Sequence, residues 1–297
     1  MADVMVPQVA VAPPARQRAE WRRATRTLIR NRLVLAGLIM VLGLIVIAVL
    51  AGLIAPYDPI ANNVRAALQP PSSYYYFGTD RFGRDVFSRV VHGSRLTLRV
   101  AILSVASSVV VGIVLGLLSG YYRGWVDNLI GRIMDVFFSF PGLLLAIAVS
   151  AMLGPGENNA IVAIAVVYAP VFGRVVRGPV LVERGKEYVE AARVIGSSSI
   201  RVLLKHIFPN VLSPLTVQAT IALSQAILLE ASLSYLGLGT QPPWPSWGTM
   251  LYEGREFLET APWWSIFPGL AIMLTVLAFN LLGDGIRDVL DPRSRGE

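Results

Sequence analysis

The sequence predicts an all-α membrane protein with six transmembrane helices, and three observations carry that prediction. Hydrophobic residues make up 54% of the 297-residue chain and charged residues only 15%, a balance suited to lipid and foreign to soluble domains. Apolar runs close to the length that spans a bilayer, about 20 residues, recur along the chain. Basic residues crowd some connecting segments and avoid others, as expected of a chain with one fixed orientation. Cysteine is absent, which excludes disulfide frameworks and thiolate chemistry. The formal charge of +7 comes almost wholly from arginine, 24 of the 26 basic residues. In so apolar a chain this is a topological signal rather than a nucleic-acid-binding surface.

The tail Met1–Ala15 has three prolines and no hydrophobic period, and is expected to be disordered. Over residues 18–31, "RAEWRRATRTLIRN" fits an interfacial helix or a solvated lead-in equally well. Residues 1–32 thus form a basic tail. The first span covers residues 33–55 and ends at Pro56; its apolar run is too long for a signal peptide, so it is expected to be a retained anchor. An external loop follows over residues 56–95. The remaining spans, residues 96–291, are expected at Leu96–Gly120, about Met134–Leu153, Ala160–Val176, about Val211–Leu236 and about Trp263–Leu282. Pro141, Pro170 and Pro214 fall inside them, which membrane bundles tolerate. Residues 292–297 form a short tail.

Orientation follows from the 19 basic residues in the first tail, the segment after the second span, the segment between spans four and five, and the last tail. All four are assigned to the cytoplasm, with both termini inside. One region resists. Arg65, Arg81, Arg84, Arg89 and Arg95 lie in the external loop, where long loops obey the rule less strictly. Phe82, Val86 and Val90 stand there at helical spacing, as in an amphipathic surface helix.

Between spans four and five lies a charged island, about residues 183–210, containing "EYVEAARVIGSSSIRVLLKHIFPN". Glu187–Val194 favours a helix, Gly196 with Ser197–Ser199 makes a turn, and Ile200–Phe208 restarts a helix that stops at Pro209. Helix connections in bundles commonly take about 2–8 residues, so an ordered polar segment of this length implies a docking surface. Glu190-Ala191-Ala192, then Gly196, then Pro209 resembles the EAA loop of permease subunits of ATP-binding-cassette importers. His206 and Phe208 stand at the family's usual Ile and Leu positions, departures that occur in its peptide-importer branch. "FGTDRFGRDVFSRVVHGSRLTL", "LSYLGLGTQPPWPSWGTML" and "NLLGDGIRDVLDPR" are similar to hallmark segments of the dipeptide, oligopeptide and nickel permeases, more narrowly their C-type subunit. The resemblance runs from about residue 21 to the C-terminus. It implies the type I importer permease fold, a coupling helix seated on an ATPase subunit, a second homologous permease, two ABC ATPases and an extracytoplasmic substrate-binding protein. It also implies a place in the bacterial inner membrane and alternating access, with peptides or similar small solutes as cargo.

Other residues leave alternatives open. Gly112, Gly116 and Gly120, at four-residue steps, admit a close helix within this subunit or from a partner. Glu230, alone in the apolar run "AILLEASLSYL", either lines the translocation path or is hydrogen-bonded near the outer end of the fifth span. Trp244, Trp247, Trp263 and Trp264 suit an interfacial aromatic belt, with the loop tip also suited to a binding protein. Asp135 and Asp284 fit as anchors at helix ends. No G-x-x-x-x-G-K-[ST] loop occurs, since Gly185-Lys186 is followed by Glu187 and lacks the leading glycine. Neither a zinc-protease pattern nor a Ser-His-Asp set can be assembled from His92 and His206. The chain is therefore expected to be no enzyme and to hold no cofactor or metal, with ATP and Mg bound by partners. The rival reading is an ion-coupled secondary transporter, which would need midplane carboxylates and inverted repeats; only Glu230 qualifies.

Overall fold

A computed structural model describes residues 32–290; the expectations for both tails lie outside these residues. Its elements are α1 (Arg32–Val49), α2 (Ala51–Ile54), α3 (Val86–Tyr122), α4 (Gly124–Phe138), α5 (Gly142–Leu153), α6 (Glu157–Arg184), α7 (Glu187–Val194), α8 (Ser199–Arg201), a π-turn over Val202–Ile207, α9 (Phe208–Tyr235), α10 (Trp247–Gly254) and α11 (Trp263–Leu290), with 3-10 turns at Val64–Ala66 and Arg255–Phe257. Among the described residues the only β-structure is an isolated bridge between Thr79 and Asp85. Five stretches are long and apolar enough to cross a bilayer: α1, α3, α6, the run Ser199–Tyr235 and α11.

The third span departs from expectation. Instead of one helix over Met134–Leu153, α4 and α5 meet at 93°. Pro141 stands immediately before α5, where it cannot donate to a preceding carbonyl and pushes Phe140 out of the helical region. The second span is longer than its apolar core, because Asp85 caps it. Its carboxylate accepts from Ser88 N at 2.8 Å and Ser88 Oγ at 2.6 Å. The stretch expected as a separate surface helix is therefore the first turn of α3, and Phe82 lies outside it in the preceding turn. Likewise α6 continues through Pro170 and Pro179 to Arg184, well past Val176.

Small residues set the helix spacing. The glycine stripe of α3 faces α6 of the same chain. A β-carbon on Gly116 would lie 2.5 Å from Val176 Cβ and 2.6 Å from the Gly173 carbonyl, and one on Gly120 would lie 2.7 Å from Val180 Cγ1. Gly112 would meet Ala169 O and Gly173 N, both at 2.9 Å. On the other side of the bundle Gly37 of α1 abuts Leu282 N and Leu281 of α11. Van der Waals contact and backbone proximity replace the hydrophobic effect as the force between helices in lipid. Around these contacts Val105, Ile164, Phe172, Ile207, Ala226 and Ile227 fill the interior.

Gly116→Leu should therefore force α3 and α6 apart. Overpacking of this kind costs roughly 1–3 kcal/mol or more, and the detergent-solubilised protein should melt measurably lower; an unchanged melting temperature would show the contact to be dispensable.

Candidate functional site

The segment between α6 and α9 stands out from the bundle as a bent, partly polar elbow. Glu187, Glu190 and Ala191 are exposed, while Val189 and Ala192 are buried toward the bundle. Gly196 has φ +81°, in the left-handed region that glycine enters without penalty. There the chain makes a full Schellman turn, with Ser197 N donating to Ala192 O at 3.0 Å and Gly196 N to Arg193 O at 2.9 Å. So the Glu-Ala-Ala-x-x-x-Gly spacing has a physical origin. The third residue of the triplet supplies the carbonyl that closes the turn, and the glycine supplies the backbone angle.

Pro209 behaves differently from the sequence-based expectation. It does not stop a helix; it occupies the first turn of α9, which follows without a break. Lacking an N–H, it cannot bond the Lys205 carbonyl, and its ring crowds that oxygen. The chain responds by widening into the π-turn at Val202–Ile207, where Phe208 N reaches back to Leu203 O. Val202, Leu203 and Ile207 of this turn are buried under the elbow, and Val194, Ile195, Ile200 and Leu204 are exposed on it. Val194 is 87% exposed and Ile195 82%, an unusual load of apolar surface on a polar segment.

One contact fixes the elbow to α3, and a second set braces the helices beside it. The Arg193 guanidinium lies 5.0 Å from the centre of the Tyr121 ring at the end of α3, within cation–π range. At the same end of the bundle, Arg177 grips Asp127 with Nε at 2.6 Å and Nη2 at 2.7 Å, and Arg174 pairs with Asp135 at 2.9 Å. These pairs tie α4 to α6.

Glu230, only 1% exposed, is held by the Ser234 hydroxyl at 2.8 Å and the Thr97 hydroxyl at 3.2 Å. The structure thus encloses it at the packed junction of α3 and α9, and a part in the translocation path would require that junction to separate. Asp284 is exposed near the end of α11.

The opposite end of the bundle holds a site that the sequence did not disclose. Asp80, Arg84, Arg89 and Glu253 form a buried cluster of two cations and two anions. Arg84 Nε meets Asp80 Oδ2 at 2.5 Å and its Nη2 meets Glu253 Oε2 at 3.2 Å. Arg89 lies 3.7 Å from Asp80 and 3.6 Å from Glu253, and donates to the Pro59 carbonyl at 3.0 Å. Arg95 donates to the Ala48 and Val49 carbonyls at 2.9 and 3.0 Å, closing the end of α1. Of the five arginines that strain the charge rule, Arg84 and Arg89 thus have their charge absorbed within the fold and Arg95 caps a helix end, while Arg65 and Arg81 are exposed. Nearby, Trp247 and Trp264 are fully buried, with Trp247 Nε1 donating to Val90 O at 2.9 Å. They are core residues and no part of an aromatic belt; of the four tryptophans, Trp244 is the exposed one.

A bundle of bilayer-length helices with a projecting, partly apolar elbow defines a class of protein, a polytopic membrane protein with a docking surface at one end. Residues 112–296 match the model for the binding-protein-dependent transport system inner membrane component, and residues 20–71 that for the N-terminal TM domain of oligopeptide transport permease C. The dipeptide transport system permease protein DppC of Alkalihalophilus pseudofirmus is 45% identical over 295 residues, covering 98% of this chain and 97% of that one. The glutathione transport system permease protein GsiD of Pectobacterium atrosepticum is 47% identical over 279 residues, 93% of this chain and 92% of its own. A chain of the MetNI methionine ABC transporter in an inward-facing conformation shares the fold, with TM-score 0.55 and 24% identity over 68% of this chain and 96% of that one. The chain belongs to the family of binding-protein-dependent transport system inner membrane components. It is a multi-pass inner-membrane permease subunit of an ABC importer, with the type I fold, and its relatives are permeases and not themselves enzymes. The ion-coupled alternative finds no support in these relationships.

Removing one member of the buried charge cluster leaves the others uncompensated, at a cost of roughly 3–5 kcal/mol. Glu253→Ala should accordingly lower the thermal stability of the purified protein by many degrees, and stability within about 0.5 kcal/mol of wild type would refute the pairing.

Proposed function

We propose that this chain forms one half of the import path for peptides or similar small solutes, paired with a second homologous permease and driven by two ABC ATPases through the elbow. The observation that carries this reading is the exposed apolar patch of Val194, Ile195, Ile200 and Leu204 on a segment otherwise built for water. Such a patch on a rigid projection suits burial in a cleft of another protein. Glu190, Ala191, Ala192, Gly196 and Pro209 shape the elbow, the first two at its exposed side and the rest through the turn geometry described above. ATP and Mg are bound by the partners, and this chain binds neither.

The elbow and both termini face the cytoplasm in this reading, supported by the basic residues concentrated on that side. The opposite end, with exposed Trp244 and a framework braced by the buried charge cluster, faces an extracytoplasmic binding protein. The dipeptide and glutathione transport of the relatives supports a peptide-like cargo. Closure of the ATPases displaces the docked elbow, and the bundle turns from inward to outward access. For that displacement to do work, the elbow's seat must differ in affinity between the two states.

Gly196→Val places a β-branched residue in the left-handed region, at a cost of roughly 1–2 kcal/mol or more, and Glu190→Lys inverts the charge beside the docking patch. In the reconstituted importer both variants should lose at least about tenfold in solute imported per ATP hydrolysed. Wild-type coupling in both would remove the elbow from the mechanism.

A further inference from the structure

Apolar contact beneath the elbow can slide, whereas hydrogen bonds of fixed direction cannot, and the base of the elbow carries a connected set of them. Glu183, in the last turn of α6, is only 8% exposed. Its Oε1 accepts from Lys186 Nζ at 2.5 Å and its Oε2 from the Tyr188 hydroxyl. Tyr188 belongs to the first turn of α7. Its oxygen in turn accepts from Asn210 Nδ2 at 3.3 Å, and the same amide nitrogen donates to the His206 carbonyl at 2.9 Å. The His206 carbonyl also lies 3.2 Å from the Tyr188 oxygen. A phenol has one proton to give, and the charged carboxylate is the stronger acceptor. Burial and then the Glu183 carboxylate push the Tyr188 hydroxyl up to about 12, so it stays a donor.

The three residues come from three elements: the end of the fourth span, the helix of the elbow, and the first turn of the fifth span next to the π-turn. We propose that Glu183, Tyr188 and Asn210 form a polar relay that locks the elbow helix to both flanking spans, so that a push on the elbow moves spans four and five as one piece. They are positioning residues for coupling. The inference rests on the elbow being the seat of the ATPase, and it adds residues that lie outside the Glu-Ala-Ala-x-x-x-Gly pattern.

The test uses the whole importer in proteoliposomes, with its ATPases, second permease and binding protein. Tyr188→Phe keeps the ring and removes the hydroxyl; Asn210→Leu removes the amide; the double variant removes both. Each complex should assemble with the wild-type complement of ATPase subunits and retain ATP hydrolysis. Solute imported per ATP should fall about tenfold in Tyr188→Phe, the scale of a lost hydrogen bond to a charged group, and about fivefold in Asn210→Leu, whose bonds go to neutral acceptors. The double variant should be no worse than the weaker single, because both groups act through one chain of bonds. Additive losses, or a fall that only tracks lost assembly or a lower melting temperature, would reduce the relay to local structure and overturn the proposal. Gly196→Val runs alongside as the control for the underlying reading. If it uncouples while Tyr188→Phe and Asn210→Leu transport normally, the relay is wrong and the elbow reading stands. If all remain coupled, the elbow reading itself falls.

Discussion

The close approach of α3 and α6 is the contact on which the rest of this structure depends. Lipid offers no hydrophobic drive to hold two apolar helices together, so the drive has to come from contact between the helices themselves. Gly112, Gly116 and Gly120 supply it by letting Val176, Val180 and the Gly173 backbone come into direct contact with α3. The consequences reach both helix ends. Tyr121 at the end of α3 lies under Arg193 of the elbow, and α6 runs directly into the elbow through Gly185. The elbow's position is thereby set by the same contact that sets the bundle.

The two ends of the bundle solve opposite problems. At one end the chain projects a segment that must be stiff, yet exposed enough to be grasped. Its stiffness comes from a glycine-closed turn on one side and a proline-induced π-turn on the other. At the other end a long connection must be held still without a helix to hold it. There Asp80, Arg84, Arg89 and Glu253 bind residues 80–89 to α10, and buried Trp247 and Trp264 pack beside them. A buried group of charges is a costly way to gain stability. It does fix orientation, which an apolar contact of the same size would not.

What could be read in advance follows from the kind of signal involved. The spans, the glycine stripe and the elbow were legible because periodicity, four-residue spacing and a charged interruption are local properties of the chain. The family pattern around Glu190 and Gly196 was equally plain, though only the backbone shows that Ala192 O and the left-handed Gly196 are halves of one turn. The bend at Pro141 was missed because proline inside an apolar run has two outcomes in a membrane, a tolerated kink or a break, and the flanking residues do not choose. Trp247 and Trp264 were misassigned because an indole is at home both at an interface and in a packed core, where Trp247 finds an acceptor in Val90 O and Trp264 is held by packing alone. The pairing of Arg84 and Arg89 with Glu253 depends on residues well over a hundred positions apart, beyond any local reading.

The most direct test of the central claim uses the absence of cysteine. A single cysteine introduced at Ile195, the exposed tip of the elbow, can be probed in whole cells and then cross-linked in membrane vesicles. The account predicts no reaction with an impermeant maleimide from outside and a cross-link to an ATPase subunit whose yield changes when ATP is bound. Labelling from the outside, or a cysteine that captures no ATPase in either nucleotide state, would contradict it.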